Sequence, residues 1–199
     1  MTGRRRAARA VVGLVLATAA LAACSGSGGG QQAGQNFVAG DGAITIVAPD
    51  KRPMPGELRG TTVDGQTLDL ADYRGHAVVL NVWGSWCAPC QQEAPALQAA
   101  SVELASKGVK FLGINTRETG GTPAASAFER TYGITYPSLF DQGEDYLLAL
   151  RGAVAANAIP STVVLDPQGR IAARISGATT KATLVDLVDD VLTGRTPPS

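Results

Sequence analysis

Two cysteines separated by two residues lie where a predicted strand meets a predicted helix. The motif Trp-Cys-Ala-Pro-Cys occupies residues 86–90, after an apolar, β-branched run at 77–83 and before a segment rich in helix-forming residues. A run that is apolar on both faces is typical of a buried strand whose sheet is covered by helices on both sides. The pattern therefore predicts an α/β fold with both thiols at the amino end of a helix.

This position favours redox chemistry of the thiols. Unpaired backbone N–H groups and the positive end of the helix dipole stabilise a thiolate, and the pKa of such a cysteine falls to roughly 3.5–7.5. The two-residue spacer lets the second thiol reach the first. The sequence therefore predicts a thiol-disulfide oxidoreductase, with Cys87 as the nucleophile and Cys90 as the resolving thiol.

Two other uses of a cysteine pair fit the sequence less well. A structural zinc site needs about four nitrogen or sulfur ligands, and the chain has three cysteines and one histidine. An inert disulfide closing so short a loop would constrain the unfolded chain little. We therefore predict no metal site and no cofactor.

The amino-terminal residues predict export and a lipid anchor. In residues 1–23, four arginines precede an apolar stretch at 10–20, which is too short to span a bilayer and is typical of a signal peptide. The segment ends in Leu-Ala-Ala followed by Cys24, which resembles a bacterial lipobox with Cys24 as the lipidated residue. Ordinary signal-peptide cleavage is the alternative, and the export route, Sec or twin-arginine, stays open. We expect an extracytoplasmic protein anchored to the bacterial cell membrane.

The charge of the chain does not indicate a nucleic acid partner. The chain has 17 basic and 17 acidic residues, and removing the four leader arginines leaves thirteen basic residues, a net charge of about −4. The only basic run lies in the leader, where targeting explains it. The sequence carries no signal for an oligomer, and we expect a monomer.

The rest of the chain predicts a tether, a lead-in and one domain. Residues 24–57 are assigned to the tether and lead-in, with Gly and Ser frequent at 25–36 and prolines near the end. The domain is assigned to 58–199 and begins with a hairpin at 58–70, whose Asp-Gly turn is a strong hairpin signal. The other predicted elements are a helix at 87–107, a strand at 109–115, an insertion with helices at 123–132 and 143–151 around a short strand at 136–140, strands at 159–165 and 170–175, and a helix at 179–193.

The motif at 86–90 and the sequence Ile-Pro-Ser-Thr at 159–162 together resemble the thioredoxin superfamily. The longer stretch at 79–95, the hairpin and the insertion resemble its TlpA/ResA branch of membrane-tethered extracytoplasmic oxidoreductases. The resemblance covers about residues 55–195. It implies a thioredoxin-like fold, with a central mixed β-sheet flanked by helices, an N-terminal hairpin and a helical insertion.

The resemblance also implies the substrate-binding residues. It predicts a cis peptide bond between Ile159 and Pro160, opposite the two thiols, and the backbone of Ile159 would hydrogen-bond an extended substrate. Trp86 is expected beside the same site. The alternative for Pro160 is an ordinary trans proline that opens a strand.

Asn81 departs from the pattern of ordinary thioredoxins, which have a buried aspartate at this place. Glu93, three residues after Cys90, matches the glutamate of the TlpA/ResA branch. We predict that Glu93 takes the proton from Cys90 and that burial raises its pKa. A solvated glutamate in the first helical turn is the alternative.

The resemblance implies that the protein reduces the Cys-x-x-Cys-His motif of apocytochrome c before haem attachment, with electrons from a membrane thiol carrier of the CcdA or DsbD type. The alternative is a disulfide-forming, Dsb-type oxidase of secreted proteins that uses the same residues. A copper-binding thioredoxin-like module is disfavoured, because the spacer has two residues and no histidine follows the motif. A peroxidase is disfavoured because the pattern Pro-x3-Thr-x2-Cys is absent.

Overall fold

The computed structural model describes residues 36–39, 43–155 and 157–195. The expected signal peptide at 1–23, the expected lipidation site Cys24 and residues 25–35 of the expected tether lie outside this range. Within it, no helix is long and apolar enough to cross a membrane.

A seven-stranded mixed sheet, in the order β1-β2-β9-β8-β5-β6-β7, forms the centre of the domain. The central strand β5 pairs in parallel with β6 and antiparallel with β8, and all of its residues are buried, as its unbroken apolar pattern predicts. A separate hairpin consists of β3 and β4. The strands are β1 (Asn36–Ala39), β2 (Ala43–Ile46), β3 (Arg59–Thr61), β4 (Thr67–Asp69), β5 (Val78–Trp83), β6 (Lys110–Thr116), β7 (Ser138–Asp141), β8 (Ser161–Leu165) and β9 (Ile171–Ser176).

Helices cover both faces of the sheet. On one face, apolar residues of α1 and α4 pack against Val79 of β5, and on the other, Val78 and Leu80 pack against residues of α3 and the hairpin. Successive β5 side chains therefore enter different halves of the core, as the alternation of a strand requires. The helices are α1 (Ala88–Ala105), α2 (Gly121–Tyr132), α3 (Asp145–Ala149) and α4 (Lys181–Thr193), with short 3₁₀ helices at Pro49–Lys51 and Leu70–Tyr73.

The predicted hairpin is present and closes at Gly65, whose φ of +86° is the conformation that glycine adopts without strain. The Val63 N–H donates a hydrogen bond to the carbonyl of Ser138, so the hairpin is held against β7. The predicted insertion contributes more than helices. Its short strand, β7, joins the central sheet parallel to β6 and forms its edge.

The sheet begins earlier in the chain than residue 58, the expected start of the domain. Strand β2 pairs with β9, with Ile44 opposite Ile175, and β1 pairs with β2. The assignment of Asn36 to the tether is wrong, because Asn36 pairs with Ile46 in this edge ladder. Burial of Ile44 and Ile46 in the core explains why the lead-in forms strands here.

Candidate active site

Cys87 caps the amino end of α1, where the sequence places it. The Cys90 backbone N–H donates a hydrogen bond to Cys87 Sγ at 3.2 Å, which satisfies a helix donor that lacks an intrahelical partner. The two cysteines form a disulfide with their Cα atoms 5.2 Å apart. Because this N–H and the helix dipole both favour negative charge at Sγ, the same geometry would stabilise a Cys87 thiolate once the disulfide is reduced.

Both sulfur-bearing residues are largely buried. Cys87 is 4% exposed and Cys90 is 1% exposed, and both belong to a cluster of buried residues with Trp83 and Phe128. The Trp83 and Phe128 rings stack with their centroids 4.4 Å apart. The disulfide therefore packs on its inner side with Trp83 and Phe128, and a partner can approach it only from solvent.

The segment before Cys87 is fixed by a buried carboxylate, Glu118, in the loop after β6. The Glu118 carboxylate accepts hydrogen bonds from the Ser85 N–H at 2.9 Å, the Ser85 hydroxyl at 2.8 Å and the Asn115 amide at 3.1 Å. The Ser85 carbonyl in turn accepts a hydrogen bond from Gln91 Nε2 at 2.8 Å. Every polar group of Ser85 is thus held by α1 or by the loop after β6.

Glu118 is negatively charged at neutral pH despite its burial. Burial alone would raise its pKa, but hydrogen bonds from Ser85 and Asn115 outweigh this effect and lower the pKa from its ordinary value. Sequence reasoning missed this residue. A signal that could have found it is its position just after a predicted parallel strand, at the sheet edge where the active site lies.

The peptide bond between Ile159 and Pro160 is cis, which confirms the prediction. The carbonyl oxygen of Ile159 lies 3.8 Å from Cys87 Sγ. Ile159 is half-buried and Pro160 is buried, so the segment lines the approach to the disulfide. The structure thus brings Cys87, Cys90, Ile159 and Pro160 together. Their roles in substrate binding and catalysis stay predictions.

Trp86 is the one large aromatic side chain at the site that is open to solvent, with 48% of its surface exposed. Its indole Nε1 donates a hydrogen bond to the Thr116 carbonyl at 3.4 Å. The indole ring also lies over Gly84, where a Cβ would clash with it. Trp86 is therefore held beside the disulfide with much of its ring available to a partner.

Glu93 is 2% exposed, so the alternative of a solvated glutamate is wrong. Its Oε1 accepts a hydrogen bond from the Asn81 amide at 2.9 Å, and its Oε2 accepts one from the Thr179 N–H at 3.1 Å. Burial raises its pKa from 4.5 to about 7, although these two hydrogen bonds oppose the rise. The predicted raised pKa and its cause are confirmed. The role of Glu93 as proton acceptor stays a prediction.

A small cavity of about 10 Å³ lies beside Cys90 and is also lined by Asn81, Trp83 and Tyr136, among others. Asn81 therefore both hydrogen-bonds the carboxylate of Glu93 and lines the cavity beside Cys90. The described residues include no group of three or more His, Cys, Asp or Glu side chains that could hold a metal ion.

The AhpC/TSA family matches residues 48–174, more than half of the 199-residue chain. The chain belongs to the AhpC/TSA family. Within this family, its relatives include the thiol-disulfide oxidoreductase ResA of Bacillus anthracis, which is 30% identical over 124 residues, or 62% of this chain and 68% of that protein.

Two solved structures resemble this member of the family closely. A DsbF homologue from Corynebacterium diphtheriae is 34% identical, with a TM-score of 0.67, over 78% of this chain and 98% of that one. A secreted thiol-disulfide isomerase from Corynebacterium glutamicum is 32% identical, with a TM-score of 0.69, over 81% of this chain and 99% of that one. These findings confirm the predicted thioredoxin-like fold and the predicted activity of a thiol-disulfide oxidoreductase.

Proposed function

We propose that this oxidoreductase works outside the cytoplasm and reduces disulfides in extended protein chains, above all the Cys-x-x-Cys-His motif of apocytochrome c. The observation that carries the proposal is the Cys87–Cys90 pair at the amino end of α1, with the buried carboxylate of Glu93 one turn further along. The relative named thiol-disulfide oxidoreductase ResA supports the type of reaction. The secreted protein of C. glutamicum supports the location.

The proposed reaction transfers two electrons from the protein to the substrate disulfide. The Cys87 thiolate attacks one substrate sulfur, which forms a mixed disulfide and releases the other substrate sulfur as a thiolate. Cys90 gives its proton to Glu93 and attacks Cys87 Sγ, which releases the second substrate thiolate and closes the Cys87–Cys90 disulfide. The two substrate thiolates take up protons, one of them from Glu93 and one from solvent.

The pKa of Glu93 suits this role. With a pKa of about 7, a large fraction of Glu93 is ionised near neutral pH and can accept a proton, and the protonated form can release it again. A carboxylate with an ordinary pKa would be a much weaker base for a thiol. The raised pKa therefore supports the assignment of Glu93 as the proton acceptor.

The backbone at Ile159 supplies a docking edge for the substrate. Because the Ile159 carbonyl oxygen lies 3.8 Å from Cys87 Sγ, an extended chain paired with the Ile159 backbone would lie alongside the sulfur that attacks it. The exposed face of Trp86 flanks the same site. We assign substrate binding to Trp86, Ile159 and Pro160.

A second candidate is oxidation of thiols in secreted proteins, and the secreted thiol-disulfide isomerase among the similar structures fits a role in forming or rearranging disulfides. The same residues would run the reaction in the opposite direction, and the redox potential decides between the two. Known thiol-disulfide proteins of this kind range from roughly −270 mV for reductants to −120 mV for strong oxidants. Family membership does not make the protein a peroxidase, because the peroxidatic pattern is absent from the sequence.

The deciding experiment combines deletion of the gene with measurement of the potential. We expect the deletion strain to lose covalently haem-stained c-type cytochromes, wild-type protein to restore them, and the Cys87→Ser variant not to do so. Equilibration with glutathione should give a potential near that of thioredoxin. Normal cytochromes together with a strongly oxidising potential would overturn the proposal in favour of the oxidase.

The remaining parts of the proposal concern the setting of the enzyme. We propose that a lipid on Cys24 anchors it to the cell membrane, that a membrane thiol carrier of the CcdA or DsbD type re-reduces it, and that it acts as a monomer. A Cys24→Ser variant should move from the membrane fraction to the soluble fraction. Recovery of that variant in the membrane fraction, at the level of the wild type, would contradict the anchor.

A further inference from the structure

We propose that Asn81 and the backbone N–H of Thr179 are positioning groups for Glu93, and that they set the pH at which Glu93 takes the proton from Cys90. The inference rests on the proposed function, since it concerns the proton acceptor of that reaction. It assigns the task to two groups on different elements, a side chain of β5 and the segment before α4.

The two donors bind different oxygens of the same carboxylate. The Asn81 amide donates to Oε1 at 2.9 Å and the Thr179 N–H donates to Oε2 at 3.1 Å. A backbone N–H is always a donor, and Asn81 uses its NH2 group here. Both bonds therefore favour the carboxylate over the carboxylic acid and restrict rotation of the Glu93 side chain.

Each donor is itself held by the strand that carries the proposed substrate edge. Asn81 Nδ2 also donates to Thr162 Oγ1 at 3.2 Å, two residues after Pro160. The segment that carries Thr179 is held by a hydrogen bond from the Gly177 N–H to the Pro160 carbonyl at 2.9 Å. The position of the Glu93 carboxylate is thus set relative to Pro160, in the proposed substrate-binding segment, and to Cys90, the proposed proton donor.

Among the described residues, no charged group contributes to the shift in the pKa of Glu93. Cys90, on the same helix, is neutral in the disulfide and becomes the proton donor when reduced. From outside α1, Tyr136 interacts electrostatically with Glu93, but burial raises the pKa of Tyr136 and keeps its hydroxyl protonated. Strand β8 contributes Thr162 and the segment before α4 contributes Thr179, neither of which titrates. The protonation of Glu93 is therefore governed by its burial and by the two donors.

The loss of one donor should mainly change the pH dependence of the resolving step, because it raises the pKa of Glu93. A hydrogen bond to a charged group is worth enough to move a pKa by about one unit. An Asn81→Leu variant should keep Glu93 protonated to higher pH and, because the ionised fraction at pH 7 falls from about one half to about one eleventh, should slow the resolving step at that pH about fivefold. Above the new pKa, the rate should return to that of wild type.

The test measures both the pKa of Glu93 and the rate of disulfide reduction in the full-length protein. Carbon NMR of the labelled Glu93 carboxyl in the reduced protein gives its pKa directly. The rate of reduction of a synthetic peptide with a disulfide-bonded Cys-Ala-Ala-Cys-His motif gives the pH profile. We expect both midpoints to move upward by about one pH unit in Asn81→Leu, and Asn81→Ala makes the same test if the leucine variant does not fold.

Two control variants separate positioning from a merely structural role. Thr162→Val removes the acceptor behind Asn81 and leaves both donors to Glu93 in place, so its midpoints should move less than those of Asn81→Leu. In a Glu93→Gln background, Asn81→Leu should cause no further shift in the pH profile. A uniform loss of rate at every pH, or an unchanged carboxyl titration in Asn81→Leu, would overturn the inference.

The same data distinguish this inference from the proposed function. If wild-type protein does not reduce the peptide at any pH, the proposed function fails, whatever the NMR titration shows. If wild-type protein reduces the peptide and the Glu93 titration does not respond to Asn81→Leu, only the inference fails.

Discussion

The carboxylate of Glu118 accepts hydrogen bonds from both the backbone N–H and the hydroxyl of Ser85, two residues before Cys87. This contact holds the segment that carries Cys87 against the loop after β6. Because Glu118 is buried and ionised, its loss should loosen that segment and leave two donors of Ser85 without an acceptor.

We therefore predict that Glu118→Gln lowers the free energy of unfolding by about 1–3 kcal/mol, since a glutamine NH2 cannot accept from Ser85. Folding lowers the pKa of Glu118, so its contribution is present above its ordinary pKa and is lost as pH falls through the lower, folded value. Urea unfolding at pH 7 and at pH 3 measures this difference. Glu144→Gln, at a glutamate that pairs with Arg117 on the surface, is the matched control and should change stability by less than about 1 kcal/mol. Equal effects of the two substitutions would contradict the prediction.

Glu93 predicts a dependence of stability on pH with the opposite sign. Its pKa is raised by burial from 4.5 to about 7, so the folded protein binds more protons than the unfolded chain between these values, and stability falls as pH rises. In the oxidised protein, Glu93→Gln should remove about 3 kcal/mol of this decline between pH 4.5 and pH 8. The measurement is urea unfolding at intervals across that range. A slope that is unchanged by the substitution would show that Glu93 has an ordinary pKa.

Trp86→Ala should weaken the reduction of protein substrates without affecting folding. Nearly half of the indole is exposed, and a tryptophan anchor in an interface is worth about 2 kcal/mol, or a thirtyfold change in kcat/KM. Exchange with a small disulfide such as oxidised glutathione should change much less, because that substrate is too small to need the anchor. Thermal unfolding checks that the variant is folded. A similar loss with both substrates would assign Trp86 to the chemistry of the disulfide rather than to docking.

The lead-in before the hairpin is held to the domain by a buried ion pair between Arg52 and Asp166, at 3.2 Å. Asp166 also accepts hydrogen bonds from Arg170 Nε at 2.9 Å and from the backbone N–H groups of Gln168 and Arg170, so it keeps one charged partner and two backbone donors when Arg52 is lost. Arg52→Met should still cost about 3 kcal/mol, since an aspartate that is 1% exposed would lose a charged partner. Urea unfolding measures this loss. Arg151→Met, at an exposed position, should cost less than about 0.5 kcal/mol. Little change in Arg52→Met would show that Arg170 and the backbone N–H of Gln168 satisfy Asp166 without Arg52.

The elements that could be predicted from the sequence are those whose signals are local. The apolar run of β5, the turn at Gly65 and the helical periodicity of α1 each depend on residues that are close in the chain. The cysteine motif and the proline at 160 add a resemblance that fixes how these elements assemble. For this reason the thioredoxin-like fold and the pairing of Cys87 with Cys90 agree with the structure.

The contacts that could not be predicted join residues far apart in the chain. The hydrogen bond from Ser85 to Glu118 spans 33 residues, and that from Thr179 to Glu93 spans 86 residues. Short strands such as β1 and β2 have weak local signals and form because β9 offers an edge to pair with. Periodicity and spacing carry no information about such partners, and only the folded chain reveals them.

The burial of Cys87 and Cys90 restricts which protein disulfides can reach the site. If Cys87 is the nucleophile, as we propose, a side chain that is 4% exposed is harder to reach for a disulfide set within a rigid, compact protein than for one in a loose chain. A substrate with a short, flexible segment around its disulfide can enter the site and bring its sulfur within bonding distance of Cys87. The enzyme should therefore act on newly exported polypeptides before they fold and should leave the finished disulfides of their folded neighbours intact.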